Sequence, residues 1–201
     1  MQTPRAFEAL DAEELFTLGL RASNTDDSAG AINLLKLAVE RDPQHARAAW
    51  LLGAEYAQIG LTERALAALT RAVETDSSLV GARFQLGLLH LTSGHVEQAS
   101  AAWAPLDDLA DNDPHRLFKT GMLDMVADRF DAALTTLRRC AALTGIDAAL
   151  KRDVEMVIEQ IETRAKVPTH ATSVPSDTSP ATNATDPSDH LFLTAYRGNR
   201  G

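Results

Sequence analysis

The chain has 201 residues, 45% of them hydrophobic, 5% aromatic and 23% charged, with a formal net charge of −9 and one cysteine. That length suits one domain with an appendage, and the acidic balance excludes the clustered basic face that a nucleic acid or an anionic membrane surface requires. A lone cysteine excludes an internal disulfide framework, and no apolar run approaches the roughly 20 residues that span a bilayer, so no membrane insertion is expected.

From the N-terminus, Thr3-Pro4 reads as a cap and first helical residue, and Ala6, Phe7 and Leu10 read as a lead-in turn within residues 1–11. Glu8, Asp11, Glu13 and Glu14 stand where a signal peptide would need an apolar core, which predicts a cytoplasmic protein. Asp11 and Glu14 have the spacing of a capping box and mark the start of the first long helix. Ser23 to Asp27 is its closing turn. From Ala46 onward, Trp50, Leu52, Gly53 and Tyr56 form one helical stripe, Gly60 interrupts it, and Ala65, Leu66, Leu69, Ala72 and Val73 form a second. This predicts a hairpin of two short amphipathic helices, with Gly53 and Ala65 at their closest approach. Farther on, Pro105 lies inside a predicted helix and should kink or end it, because proline lacks the amide donor and clashes with the preceding turn. Asp107, Asp108, Asp111 and Asp113 make the next loop acidic.

Residues 148–166 read as a single capping helix. Leu150, Val154, Val157, Ile158 and Ile161 lie on one side and Lys151, Arg152, Glu155, Glu159 and Glu162 on the other, as the exposed end of a stacked array requires. Residues 167–190 change character: Pro168, Pro175, Pro180 and Pro187 punctuate a Ser/Thr/Asp/Ala run without lysine or arginine. Too little apolar surface is present to offset ordering entropy, which predicts a disordered linker. Residues 191–201 follow as an apolar and basic motif, with Leu191, Phe192, Leu193, Tyr196 and Arg197 as candidate docking residues for a partner or for the chain itself. A flexible linker of about 24 residues reaches roughly 25–30 Å, enough to return the motif to its own chain or to a neighbour.

Two small-residue series run through the chain at one period: Gly19, Gly53, Gly87 and Gly121, and Ala31, Ala65, Ala99 and Ala133. Such a period points to a helical repeat array. The frame of Leu52-Gly53, Tyr56, Gly60, Ala65, Leu69, Ala72 and Asp76 resembles the tetratricopeptide-repeat (TPR) family, and so do Leu18-Gly19, Ala31, Leu35, Ala38 and Asp42-Pro43 before it. Leu86-Gly87, Gly94, Ala99 and Trp103, then Gly121, Ala133 and Leu137, continue it. Four units follow from the resemblance: 12–45, 46–79, 80–113 and 114–147. Asp26 and Asp128 depart from the pattern by replacing the turn glycine, and Trp50 sits one residue nearer the glycine than the family's tryptophan. The resemblance implies an all-α fold, a right-handed superhelical stack of antiparallel helix pairs (an α-solenoid) ending in the capping helix.

It also implies a non-catalytic interaction module, an adaptor or scaffold whose concave groove takes an apolar peptide or an amphipathic helix of a partner protein. Offsets from the repeat glycine assign that groove to Phe16, Leu20, Trp50, Phe84, Gln85, Leu88, Leu91, Phe118, Lys119, Met122 and Met125. An aromatic ladder at this period serves either as groove anchors or as packing between successive hairpins, and Trp50 is the first candidate for the structural role. A carboxylate clamp of the chaperone-binding type is disfavoured, since Lys119 is the only groove lysine. A secretion-type chaperone sheltering a hydrophobic client, or a self-assembling subunit using its tail, is the alternative. No catalytic residue, metal or cofactor is expected. The histidines His45, His90, His95, His115, His170 and His190 show no ligand spacing, and Cys140 reads as a packed core thiol.

Overall fold

The computed structural model describes residues 7–166, all helix or connecting turn. The chain divides into two compact units, Met1–Ala104 and Pro105–Gly201. The first holds three helix hairpins: α1 (Ala12–Ser23) with α2 (Ser28–Arg41), α3 (Ala46–Gln58) with α4 (Thr62–Thr75), and α5 (Val80–Thr92) with α6 (Val96–Trp103). The second holds α7 (Pro114–Val126) paired with α8 (Phe130–Ala141), and then α9 (Ala148–Lys166) packed on α8. Within the first unit, α2 packs on α3 and α4 on α5, while α1 touches α3 and α3 touches α5, so its first helices lie side by side. Thr3-Pro4, the 167–190 linker and the 191–201 motif lie outside the described residues.

The small-residue series sets the closeness of each pair. A Cβ on Gly19 would stand 2.8 Å from Leu35 Cγ, one on Gly53 2.7 Å from Leu69 Cγ, and one on Gly121 2.6 Å from Leu137 Cγ. Real side chains do not approach so near, so only glycine lets the second helix seat its leucine there. In the third hairpin the partner is Trp103, whose indole lies closer still to Gly87. Ala31, Ala65, Ala99 and Ala133 are all fully buried on the facing helices.

The turns repeat as faithfully. The amides of Asp27, Leu61, His95 and Arg129 donate back to the carbonyls of Ala22, Tyr56, His90 and Asp124, and the residue before each donates to Ser23, Ala57, Leu91 and Met125. This is the Schellman closure, which needs a left-handed residue at its centre. Gly60 and Gly94 supply it at φ 77° and 80°, and Asp26 and Asp128 adopt it at 59° and 58°. The aspartates that depart from the repeat frame therefore keep its backbone.

Other local expectations are met by specific bonds. Asp11 Oδ1 accepts from the Glu14 amide and Glu14 Oε2 from the Asp11 amide, both at 2.8 Å, completing the capping box. Pro105 has the effect foreseen for it: α6 stops at Trp103 and the chain continues as a 3-10 turn, Ala104–Asp108. The division between the two units falls at this proline, inside the span 80–113 that the repeat frame treats as one unit. On α9, Leu150, Val154, Val157 and Ile161 are buried, Ile158 is half-buried, and Glu155 is exposed. Cys140 is fully buried, its Sγ–H directed at the Pro114 carbonyl 3.4 Å away.

Candidate interaction face on the first helices

Burial sorts the predicted groove residues into two groups. Phe16, Phe84, Leu91, Phe118, Lys119, Met122 and Met125 are all buried. Leu20 is exposed, and Trp50, Gln85 and Leu88 are half-buried. Of the two readings left open for the aromatic ladder, packing is the one that the burial of Phe16, Phe84 and Phe118 favours.

The physical reasons differ from one position to the next. Phe16 is covered from α3: the His45 ring lies 5.0 Å from it, centroid to centroid, and the Arg47 guanidinium sits 4.6 Å above its face. His45 is itself fixed, because its Nδ1 accepts the Ala48 amide as the cap of α3 while Nε2 lies 3.0 Å from Glu13 Oε2. Phe84 stacks on Trp103 at 5.9 Å, and the Trp103 indole N–H donates to the Phe84 carbonyl at 2.9 Å. In the second unit Lys119 pairs with Asp107 Oδ2 at 2.5 Å, so its ammonium is engaged with the 3-10 turn of its own unit. Met122 and Met125, also assigned to the groove by offset, are 1% and 3% exposed and form part of the core.

What remains open on the first unit is a strip across α1, α3 and α5: Leu20, Trp50, Ala54, Ala57, Gln85 and Leu88. Two side-chain bonds hold it. Trp50 Nε1 donates to Gln85 Oε1 at 2.9 Å, linking α3 to α5, and Ser23 Oγ donates to Glu55 Oε1 at 2.6 Å, linking α1 to α3. Gly81 makes room for the indole, since a Cβ there would stand 2.6 Å from Trp50 Cζ2. The structural role foreseen for Trp50 is thus visible in its bond, yet its ring keeps an accessible side.

Sequence reasoning missed Glu55. It is 3% exposed, and its second oxygen, Oε2, has no hydrogen-bond partner among the described residues. Its offset gave only a weak signal: two residues after the repeat glycine the first unit carries Arg21, and the third and fourth carry Leu89 and Leu123. His90 Nδ1 is likewise buried and unpartnered among the described residues, and burial, followed by the charge of His95 nearby, lowers its pKa. Those two rings stand 6.1 Å apart, but no three His, Cys, Asp or Glu among the described residues could hold a metal ion. No helix among the described residues is long and apolar enough to cross a membrane.

No family model matches the sequence, and no curated protein does. Solved structures do match the fold. The crystal structure of MamA is similar over 80% of this chain and 84% of its own, at 21% identity and a TM-score of 0.59. A thermophilic TPR protein of Thermus thermophilus matches over 77% and 83% respectively, at 16% identity and a TM-score of 0.63. A tetratricopeptide repeat protein from Parabacteroides merdae matches over 76% of this chain and 60% of its own, at 17% identity and a TM-score of 0.56. With the four Schellman turns and the glycine-seated hairpins already described, these likenesses show an all-α fold of the tetratricopeptide-repeat type.

Proposed function

We propose that this chain is a non-catalytic protein–protein interaction module, an adaptor whose first-helix strip on the unit Met1–Ala104 receives an apolar peptide or an amphipathic helix of a partner protein. The observation that carries the reading is the strip itself. Leu20 stands 36% exposed at its edge, and Trp50 and Leu88 remain half-open although both are pinned on helices already ordered. Because α1, α3 and α5 are held together before any ligand arrives, binding incurs little ordering cost on this side. Covering on the order of 300 Å² of apolar surface is worth about 8 kcal/mol gross at 25 cal/mol per Å². Loss of the ligand's own freedom offsets much of that, so micromolar affinity is the expected range. Trp50 is the central anchor, since a tryptophan buries much area with two torsions to fix.

The test is selection of phage-displayed 12-residue peptides on the full chain, with the double variant Leu20→Glu, Leu88→Glu as counter-target. Enrichment of apolar peptides that bind the parent and lose at least tenfold in affinity for the variant is the expected result. Peptides indifferent to both substitutions, with the variant's helical circular dichroism intact, would refute the strip as the binding surface.

A further inference from the structure

The buried carboxylate of Glu55 lies where the strip crosses from α1 to α3. One oxygen holds the Ser23 hydroxyl at 2.6 Å, and the other lacks a hydrogen-bond partner among the described residues while the residue is 3% exposed. A buried acceptor left in that condition costs about 1–3 kcal/mol, more when ionised, so a donor brought to it recovers that energy. Ser23 is half-buried on the last turn of α1, and Leu20 lies one turn before it on the same face. Ala54 and Ala57, both half-buried, stand one residue before and two residues after Glu55 on α3. The ligand chemistry that satisfies all of this is a cationic donor next to bulky apolar side chains. A guanidinium suits a carboxylate best, through its fixed fork of N–H groups.

The chain carries such a segment. Its last eleven residues hold Leu191, Phe192, Leu193 and Tyr196, then Arg197 and Arg200, with no acidic residue, on a protein of net charge −9. The 24 residues between Lys166 and Leu191 have a contour length on the order of 80 Å. We propose that residues 191–200 dock on the first-helix strip of the unit Met1–Ala104, with the Arg197 guanidinium donating to Glu55 Oε2 and the apolar side chains covering Leu20, Trp50 and Leu88. This rests on the strip being a binding surface, as proposed above. It adds the occupant and the polar contact that selects it. Entry requires the Glu55 side chain to turn toward the strip about its own torsions, with Ser23 able to follow as donor. The consequence is self-occupancy: the tail excludes external ligands until one displaces it. A tethered segment at an effective concentration near 1 mM, with an intrinsic dissociation constant of about 100 μM, lowers the apparent affinity of a competitor roughly tenfold.

The test uses full chains and a fluorescein-labelled synthetic peptide of residues 189–201 as probe, read by anisotropy. The probe is expected to bind the Arg197→Glu chain about tenfold more tightly than the parent, whose own tail competes. Adding Glu55→Gln to the Arg197→Glu chain, a near-isosteric change checked by circular dichroism, is expected to remove that binding. Light scattering of the parent gives either a monomer or a mass that rises with concentration and falls back in Arg197→Glu. Once the anisotropy result has shown competition, a monomer assigns the docked segment to the same chain and the concentration-dependent mass assigns it to another copy. Equal probe affinity for parent and Arg197→Glu, or binding unchanged by Glu55→Gln, overturns the proposal. If phage-selected peptides still bind the strip in that event, the interaction face stands and only the tail and Glu55 are withdrawn. If they also fail, both readings fall.

Discussion

The second and third hairpins are built on one frame and close by different means. In the second, Gly53 receives Leu69, a flexible side chain whose nearest atom to a hypothetical Cβ is the branched Cγ at 2.7 Å. In the third, Gly87 receives Trp103, a rigid ring that is fully buried, stacked on Phe84 and bonded to the Phe84 carbonyl. The second helix of the pair follows suit. α4 runs 14 residues, whereas α6 runs 8 and gives way to the 3-10 turn at Pro105. A helix cut short by proline contributes fewer facing side chains, and one large aromatic supplies what several aliphatics supply elsewhere. A repeat frame fixes where the pair touches. It does not fix how much of the contact rests on a single residue.

Substitution at these two places separates the hairpins most strongly. Trp103→Ala is expected to cost about 4 kcal/mol, the usual loss for a buried aromatic truncated to alanine. Trp103→Leu, which copies the other hairpins, is expected to cost about half as much. On the glycine side, Gly87→Ala meets a ring that cannot yield, and should cost about 3 kcal/mol. Gly53→Ala meets Leu69 Cγ at 2.7 Å and the Leu69 backbone nitrogen at 3.1 Å, which side-chain rotation alone does not relieve, so after up to ~1 kcal/mol of gained helix propensity a net loss of about 2 kcal/mol is expected. Urea midpoints read by tryptophan fluorescence measure all four, since Trp50 and Trp103 both lie in the first unit. Equal losses for the two glycines would show that Trp103 is no stiffer a partner than Leu69.

The same contrast explains how much of the molecule was legible beforehand. Glycines and alanines at one period are a direct statement about close approach, because no other residue fits, and the hairpins followed from them. Asp11 with Glu14, and Pro105, act within a few residues of themselves, so their effects were also readable. Which side of an aromatic faces solvent was not. Phe16 is buried because Arg47 and His45 reach over it from α3. A repeat offset contains no information about a neighbouring helix's side chains. Glu55 was overlooked for the related reason that a glutamate on a helix is ordinarily solvated, and its burial depends on the hydroxyl of Ser23 on another helix.

The fourth hairpin offers a comparison of the same kind at a smaller scale. Cys140 occupies the place of Ala38 and Ala72, and all three are fully buried. Burial, followed by the nearby charge of Asp113, pushes its pKa from 9.0 up to about 11. The folded state thus binds the proton more tightly than the unfolded one. Its stabilising effect is complete below pH 9 and is lost as pH rises from about 9 to about 11. The loss is on the order of 3 kcal/mol, since each tenfold difference in proton affinity between the two states is worth about 1.4 kcal/mol. Cys140→Ala, which restores the residue of the first two hairpins, is expected to flatten that part of the alkaline slope while costing about 1 kcal/mol at pH 7. Hydrogen exchange of α8 amides against pH would read it, and an unchanged slope in the variant would assign the alkaline loss to other groups. The native thiol is expected to resist disulfide reagents at pH 8 until the unit unfolds.

The turns give the finest test. Asp26 and Asp128 hold φ near 60°, a region that costs an ordinary L-residue about 1 kcal/mol, whereas Gly60 and Gly94 enter it freely. A Cβ added to either glycine would have no heavy atom within 4 Å, so substitution there is a matter of backbone strain and not of space. Gly60→Ala should therefore destabilise by about 1 kcal/mol, and Asp26→Gly should stabilise by a few tenths to ~0.5 kcal/mol, the strain relieved being reduced by the greater freedom glycine has when unfolded. The two changes carry opposite signs at equivalent places in neighbouring hairpins. If Asp26→Gly destabilises instead, the aspartate contributes something that its backbone angle does not express. The carboxylate of Asp27, which caps α2 through the Gly30 amide at 2.9 Å, is the neighbouring group through which such a contribution would act. Repeating the change at Asp128 separates the causes, because Arg129 follows it there and α8 begins without a side-chain cap. A gain at Asp128 together with a loss at Asp26 would assign the difference to the cap, and equal gains would leave backbone strain as the whole cause.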